Sequence, residues 1–320
     1  MRIADFSVNV GYRCNNNCIH CFLGTIRDLY LERSLKEIKE LIDEGESLNA
    51  ESLTIIGGDP TIRKDFFEIL KYATNKNFNR IYLETNGRTF SVDNFARKVF
   101  EICPDLETGM SFHHVNESVH DRITRVIGSW KQSVKGIKNM KKYGAKHIRA
   151  NCVVSKLNYK ALSQLAEFLA KLGMDELSFY LMRIEGNALK NLDKLFVSIE
   201  EIQPYLFKAL EIGEKKGIDV KTFGFPYCKM KGYERFIEEK DALRGYADGS
   251  VMIFNQPEGK SDWQKSRVKE MHIKLKTCRE CKYFYTCEGI WREYLTFKKC
   301  YTKLIPIIGK KMKSINELKM

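Results

Sequence analysis

Between Phe6 and about Met182, short β-branched runs alternate with amphipathic helical stretches, and this alternation restricts the possible fold more than any other feature. Parallel strands need a crossover connection, usually a helix, so repeated strand–helix pairs build a parallel sheet covered by helices. Six strands are expected, over 6–10, 52–56, 80–84, 107–111, 147–153 and 177–181. Helices over 34–44, 65–74 and 162–172 carry apolar residues at three- and four-residue spacing, and Ser34 with Glu37 has the capping-box pattern. Six units are too few to close an eight-stranded barrel. The expected fold is therefore α/β, a partial (β/α)6 TIM-like barrel open on one side, with ligands gathered at the C-terminal strand ends.

After about Ala188 the pattern changes. A helix over 198–216 leads to a strand, a charged stretch over 233–244, a hairpin around 248–254, a cysteine-dense segment and a loosely held basic tail. This reads as a core over 1–190, a helical linker over 191–225, a small cysteine-rich domain over 226–305 and a tail over 306–320.

Composition narrows the setting. With 54 basic and 41 acidic residues the formal charge is +13, which favours an acidic partner. Much of that surplus is lysine scattered along helices, the mark of solvated faces, so nucleic acid is not the expected partner. No apolar run approaches the ~18 residues of a membrane span, and Met1 to Val10 carry no secretory pattern, so a cytoplasmic protein is expected. In a reducing compartment the 10 cysteines, clustered as they are, read as ligands rather than disulfides.

Directly after the first strand stands Gly11-Tyr-Arg-Cys14-Asn-Asn-Asn-Cys18-Ile-His-Cys21, a C-x3-C-x2-C spacing without strand or helix periodicity. Three thiolates in a pliable loop can hold three corners of a 4Fe-4S cube and leave the fourth iron without a protein ligand. The alternative, a structural zinc site, needs a fourth Cys or His, and His20 is the only one nearby.

This triplet resembles the defining motif of the radical S-adenosylmethionine (SAM) superfamily. The resemblance implies that Cys14, Cys18 and Cys21 bind the cluster. Its open iron would take the amino and carboxylate groups of SAM, and one electron from the cluster would yield methionine and a 5′-deoxyadenosyl radical that abstracts a substrate hydrogen. His20 stands where relatives carry an aromatic, and would flank the adenine. Gly57-Gly58-Asp59-Pro60 is similar to the family's Gly-Gly-Glu-Pro motif, with a carboxylate one methylene shorter for the SAM amino group. Thr85-Asn86-Gly87 looks like its Thr-Asn-Gly turn. Ser111 is the expected ribose contact, and Arg149 or Arg183 is available for the SAM carboxylate. Asn151 and Met182 are further expected SAM contacts. His113 and His114 are either substrate acid/base groups or an unliganded strand-end pair, and His120-Asp121-Arg122-Ile123 with Gly128-Ser-Trp resembles a segment of peptide-modifying members.

Cys278-x2-Cys281-x5-Cys287 resembles the auxiliary-cluster segment of SPASM and Twitch extensions. Trp291 occupies the place of a further SPASM cysteine, so a single auxiliary 4Fe-4S cluster of Twitch type is expected. Its fourth ligand is Cys228 or Cys300, with Cys228 favoured; zinc is the competing occupant of this set. Cys103 and Cys152 lack partner spacing and read as buried apolar residues.

The resemblance thus implies a radical SAM oxidoreductase, in first place a maturase that modifies a peptide or protein, supplied with electrons by a donor such as ferredoxin or flavodoxin. An enzyme of cofactor or small-metabolite biosynthesis on the same scaffold is the alternative. A non-catalytic metal module binding nucleic acid is the reading from a different class. A leader-binding domain, which a peptide substrate would call for, is not expected ahead of residue 6.

Overall fold

The computed structural model describes residues 2–239, 250–256 and 258–313. Six parallel strands follow one another across the sheet: β1 (Arg2–Asn9), β2 (Ser52–Ile56), β3 (Arg80–Thr85), β4 (Glu107–Ser111), β5 (His147–Val154) and β6 (Glu176–Leu181). All lie where the sequence periodicity puts them, within a residue or two except at the start of β1. Between them run α1 (Leu35–Ser47), α2 (Phe66–Thr74), α3 (Asp93–Ile102), α4 (Glu117–Thr124), α5 (Ser129–Lys142) and α6 (Leu162–Lys171). The Ser34 hydroxyl accepts from Glu37 N at 3.3 Å and Glu37 Oε2 accepts from Ser34 N at 2.7 Å, which completes the capping box of α1.

The sheet is wider than six strands. The chain between β6 and the cysteine segment forms a further crossover helix, Ile199–Lys215, and strand β7 (Asp219–Phe223) pairs in parallel with β6. The stretch expected as a linker over 191–225 therefore extends the sheet. On the opposite edge, β8 (Ser250–Gln256) runs parallel to β1 and turns into the antiparallel β9 (Gly259–Asp262). The hairpin thus sits several residues later than 248–254, because the β8 run is long enough to pair along nearly all of β1; residues 248 and 249 lie outside the described set, as does most of the charged stretch beyond 239. The result is a nine-stranded α/β sheet in the order β7-β6-β5-β4-β3-β2-β1-β8-β9, the architecture of a partial TIM-like barrel.

The two-residue period of the strands sorts side chains onto two faces. Phe6, Val8, Leu53, Ile55, Leu83, Ile148 and Phe179 are all at most 1% exposed on the helix-covered face. Each such side chain contributes about 1.5–3 kcal/mol by leaving water. Cys152, on this same face, and Cys103 are buried in the apolar core. The intervening positions carry Asn9, Thr54, Tyr82, Glu84, Ser111, Arg149, Asn151, Ser178 and Lys221, so the concave face is polar. An apolar shell under helices and a polar interior are what a ligand-holding barrel requires.

The interior polar groups pair among themselves at the N-terminal end of the strands. Arg149 bonds Glu238 Oε2 at 2.5 Å and lies 3.3 Å from Glu176 Oε1, while His147 lies 3.4 Å from Glu176 Oε2. Burial pushes the Glu176 carboxyl up, but the bond with His147 and the charges of Arg149 and Lys221 outweigh it and hold it at about 2.

Around the cysteine-dense segment, β10 (His272–Ile273) and β11 (Ile290–Trp291) form a short antiparallel ladder. Trp291, 2% exposed, packs its ring 6.2 Å from Phe223 of β7, and Tyr294 donates to the Met182 carbonyl at 3.1 Å. The start of the expected tail is held, not loose: Lys282 N donates to Ile307 O at 2.7 Å and Met312 N to Lys282 O at 2.8 Å. Residues 314–320 lie outside the described set. Among the described residues, no helix is long and apolar enough to cross a membrane.

Candidate radical SAM site

The loop carrying the cysteine triplet is held along its length. Its first half continues β1 against the end of β2: Gly58 N donates to Gly11 O and Asp59 N to Arg13 O, both at 2.8 Å. Its second half is tied to α4, with Ile19 N donating to Ile123 O at 2.8 Å and Asn17 N to Thr124 O at 3.1 Å. Asn187 closes the far side, donating from its backbone to Cys21 O at 2.9 Å and from Nδ2 to Cys18 O at 3.0 Å.

Two glycines make this seat possible. A Cβ on Gly57, at φ +157°, would lie 2.3 Å from Gly11 O, and one on Gly58 would lie 2.1 Å from Arg13 O. The motif after β2 thus works first by backbone proximity to the cysteine loop.

Within the loop Cys14 and Cys21 stand near enough to Cys18 for its thiol to feel the charge of both. Burial, then the neighbouring sulfurs of Cys21 and Cys14, push the Cys18 thiol far up. Arg27 donates to Cys21 Sγ at 3.2 Å, and its guanidinium feels the charge of all three sulfurs. Burial disfavours the bare thiolates of Cys14 and Cys18, and a cationic metal centre removes that penalty. Asn86 reaches the same loop, donating to Asn15 Oδ1 at 2.6 Å and lying 3.7 Å from Cys14 Sγ. The donor set fits an iron–sulfur cluster.

Sequence reasoning missed Arg27 and Arg88. Arg88 donates to Asn15 O at 2.5 Å and Asn16 Oδ1 at 2.7 Å, and Arg27 donates to Asn16 O at 2.6 Å, so two cations brace the loop that carries the three cysteines. The available signal was cationic residues six after the third cysteine and directly after the Thr-Asn-Gly turn.

Other expected contacts take varied places. Asp59, 2% exposed, accepts from Thr61 N at 3.0 Å, Thr61 Oγ1 at 2.5 Å, Thr85 Oγ1 at 3.0 Å and Asn86 N at 2.8 Å. Its carboxylate therefore ties the ends of β2 and β3 together. Pro60 is buried at the start of the following turn. Ser111 ends β4 and Asn151 lies on β5, both half-buried on the concave face. Asn151 donates to Glu84 Oε2 at 2.9 Å, and burial pushes the Glu84 carboxyl up to about 7 against the opposing charge of Arg149.

Arg149 departs from expectation. It is the third residue of an eight-residue strand and pairs with Glu176, the first residue of β6, so it stands toward the N-terminal end of the barrel rather than at a strand C-terminus. Its residue type is plain from the sequence; its depth in the strand is not. Met182 is 2% exposed. Arg183 is paired with Glu185 and lies over the rings of Phe22, at 4.9 Å, and Trp291, at 5.3 Å.

The histidines form a buried group. His20 meets His113 edge to face with centroids 4.5 Å apart, and His113 lies 5.9 Å from His120. Burial pulls His20 and His120 each down to about 4. His114 accepts from Asn116 N at 2.8 Å in the turn before α4. Asp121 accepts from Gly128 N at 2.6 Å, Ser129 Oγ at 2.8 Å and Trp130 N at 2.8 Å, so the His120-Asp121 segment anchors the start of α5 and thereby the α4 end that holds the loop.

A second cysteine group lines one small cavity: Cys228, Cys278, Cys281 and Cys287. Burial, then the sulfur of Cys287, pushes the Cys228 thiol up to about 12, with Cys278 and Cys281 adding to it. Cys300 is fully buried elsewhere, beside Tyr294.

A family model described as the radical SAM superfamily matches residues 8–169, just over half of the chain. The chain belongs to the radical SAM superfamily. Membership implies a 4Fe-4S cluster and SAM as its working partners. This radical SAM protein is 29% identical over 162 residues to the mycofactocin maturase MftC of Mycolicibacterium smegmatis, covering 51% of this chain and 40% of that one. It is 28% identical over 220 residues to the Fe-coproporphyrin III synthase of Methanosarcina barkeri, covering 68% and 52%. It therefore spans about half the length of these relatives or less. Among solved structures, Streptococcus suis SuiB bound to SAM superposes with a TM-score of 0.65 at 15% identity, over 93% of this chain and 75% of that one, a likeness of fold.

Proposed function

We propose that this chain is a radical SAM maturase that abstracts a hydrogen atom from a peptide or protein substrate. The observation that carries the reading is that Cys14, Cys18 and Cys21, whose sulfurs feel one another's charge, share a loop locked to the Gly57-Gly58 and Asn86 strand ends, above a polar barrel interior. Bound by the three thiolates, the cluster would supply one electron to SAM held at its open iron, and so the 5′-deoxyadenosyl radical. The chain's own residues set the stage. Arg27 and Arg88 hold the loop closed, His20 and His113 wall the site on its buried side, and Ser111, Glu84 and Asn151 offer polar groups on the concave face. Arg183, Met182 and Asn151 remain proposed SAM neighbours; Arg149 does not, given its depth.

The peptide reading is supported by similarity to a protein named as a mycofactocin maturase. The cofactor-biosynthesis reading draws on similarity of the same order to a Fe-coproporphyrin III synthase. Protein reconstituted anaerobically, with SAM and dithionite, is expected to release 5′-deoxyadenosine, and the Cys14, Cys18 and Cys21 alanine triple variant none. Lysate from deuterium-grown cells, split by a size-selective membrane, separates the two readings. Deuterium in 5′-deoxyadenosine from the retained fraction alone supports a peptide or protein substrate, and from the filtrate alone the metabolite reading. Turnover in neither triple variant nor wild type would sink the radical chemistry.

The cavity lined by Cys228, Cys278, Cys281 and Cys287 supports a single auxiliary 4Fe-4S cluster on those four thiolates, a Twitch-like extension. Iron content is expected to fall by about four atoms per chain in Cys228→Ala and to stay level in Cys300→Ala. The opposite pattern would make Cys300 the ligand, and zinc in place of iron would make the site structural.

A further inference from the structure

Beside the three-cysteine set lies a second constellation that shares one of its members. The ligand atoms of Cys18, His20 and His113 all lie within 4.8 Å of one another. Both imidazoles are buried, and Nδ1 of His113 is buried with no hydrogen-bond partner. Leaving such a nitrogen unpaired costs about 1–3 kcal/mol, so the position is unfavourable unless something fills it. In a tetrahedral zinc site with bonds of about 2.0–2.3 Å, neighbouring ligand atoms are about 3.3–3.8 Å apart, so closing these three onto one ion needs shifts of about 1 Å.

We propose that, in the cluster-free protein, Cys18, His20 and His113 bind a zinc-class divalent ion. As the sulfur–metal bond forms the Cys18 thiol gives its proton to solvent, and the fourth metal position is left to water. Imidazole and thiolate together suit zinc over calcium or magnesium, which prefer oxygen. Because Cys18 serves both arrangements, the two are mutually exclusive: zinc held here blocks cluster assembly on the loop. Only this competition rests on the cluster reading; the ion site itself uses neither Cys14 nor Cys21.

Co2+ reports its ligands in absorption and is the probe. Metal-free protein carrying Cys278→Ser and Cys287→Ser, which disables the second cysteine group, is titrated anaerobically. One equivalent should bind with a thiolate-to-cobalt band of single-sulfur strength, retained in Cys14→Ala and Cys21→Ala and lost in Cys18→Ala. Removing an outer-shell partner alone costs 10–100-fold in affinity at metal sites, so losing His113 as a ligand should weaken binding at least about tenfold. His20→Ala, at the loop, provides a second variant if His113→Ala perturbs the core, and circular dichroism shows which variants are folded. Absence of Co2+ uptake, a band of three-sulfur strength, or loss of binding in Cys14→Ala with retention in His113→Ala overturns the proposal. Zn2+ preloading should also depress iron uptake during reconstitution, and His113→Ala should relieve that block. If the cobalt pattern holds while preloading leaves iron uptake unchanged, the ion site stands and the assignment of the loop as the cluster seat falls.

Discussion

Gly58→Ala is expected to strip the iron from the three-cysteine loop and reduce SAM cleavage at least about 100-fold while leaving the nine-stranded sheet folded. The cause is backbone against backbone. An added Cβ would lie 2.1 Å from Arg13 O and 2.3 Å from Tyr12 O, and neither carbonyl can rotate away as a flexible side chain could. Either the β2 end or the loop must shift by about an ångström, and the loop, short of regular structure, yields first. Misplacement of that size at a reacting centre is worth about 10²-fold in rate, whereas overpacking costs about 1–3 kcal/mol in stability. Gly128→Ala is the matched control: it has open space but φ +82°, so it should cost about 1 kcal/mol of left-handed strain and keep its iron. Iron analysis and thermal unfolding of the two variants check this. Full iron and undiminished cleavage in Gly58→Ala would show that the close approach does not position the loop.

How legible such a site was depends on whether a residue's role was local or set by distant partners. β2 and β4 fall on their expected residues because two-residue alternation and flanking turns are written into contiguous sequence. The cysteine loop was equally plain, since a metal-ligand spacing is itself a local pattern. Strand β7 was visible as a strand but not as a sheet member, because its pairing with β6 depends on Ile199–Lys215 crossing the sheet. Arg149 looked available for an anion, but its partners Glu176 and Glu238 stand 27 and 89 positions away and no spacing rule links them. Cys228 could be preferred over Cys300 only by resemblance; the cavity that gathers it with Cys278, Cys281 and Cys287 is a property of the folded chain.

Asp59 is the residue for which sequence and structure differ most sharply in consequence. As a SAM contact, its loss would weaken SAM binding and nothing else. As the buried acceptor of bonds from Thr61, Thr85 and Asn86, its replacement by alanine strands several donors in a site only 2% exposed. Each unsatisfied buried donor costs about 1–3 kcal/mol, so Asp59→Ala should lose about 3–5 kcal/mol of stability after hydroxyl rotation recovers part of the deficit. The damage should spread to the loop, because Asn86, fixed through its N–H to Asp59 at 2.8 Å, is the residue that holds Asn15 at 2.6 Å. Asp59→Glu restores the motif's usual carboxylate but adds a methylene where there is no space, so it should cost about 1–3 kcal/mol as well. Asp59→Asn keeps one acceptor oxygen and turns an N–H2 toward existing donors, and should fall between wild type and alanine. Denaturant unfolding together with SAM titration separates the two roles. If Asp59→Ala unfolds at the wild-type midpoint, retains its iron and loses only SAM affinity, the carboxylate acts on the ligand after all, and the tie between β2 and β3 is incidental.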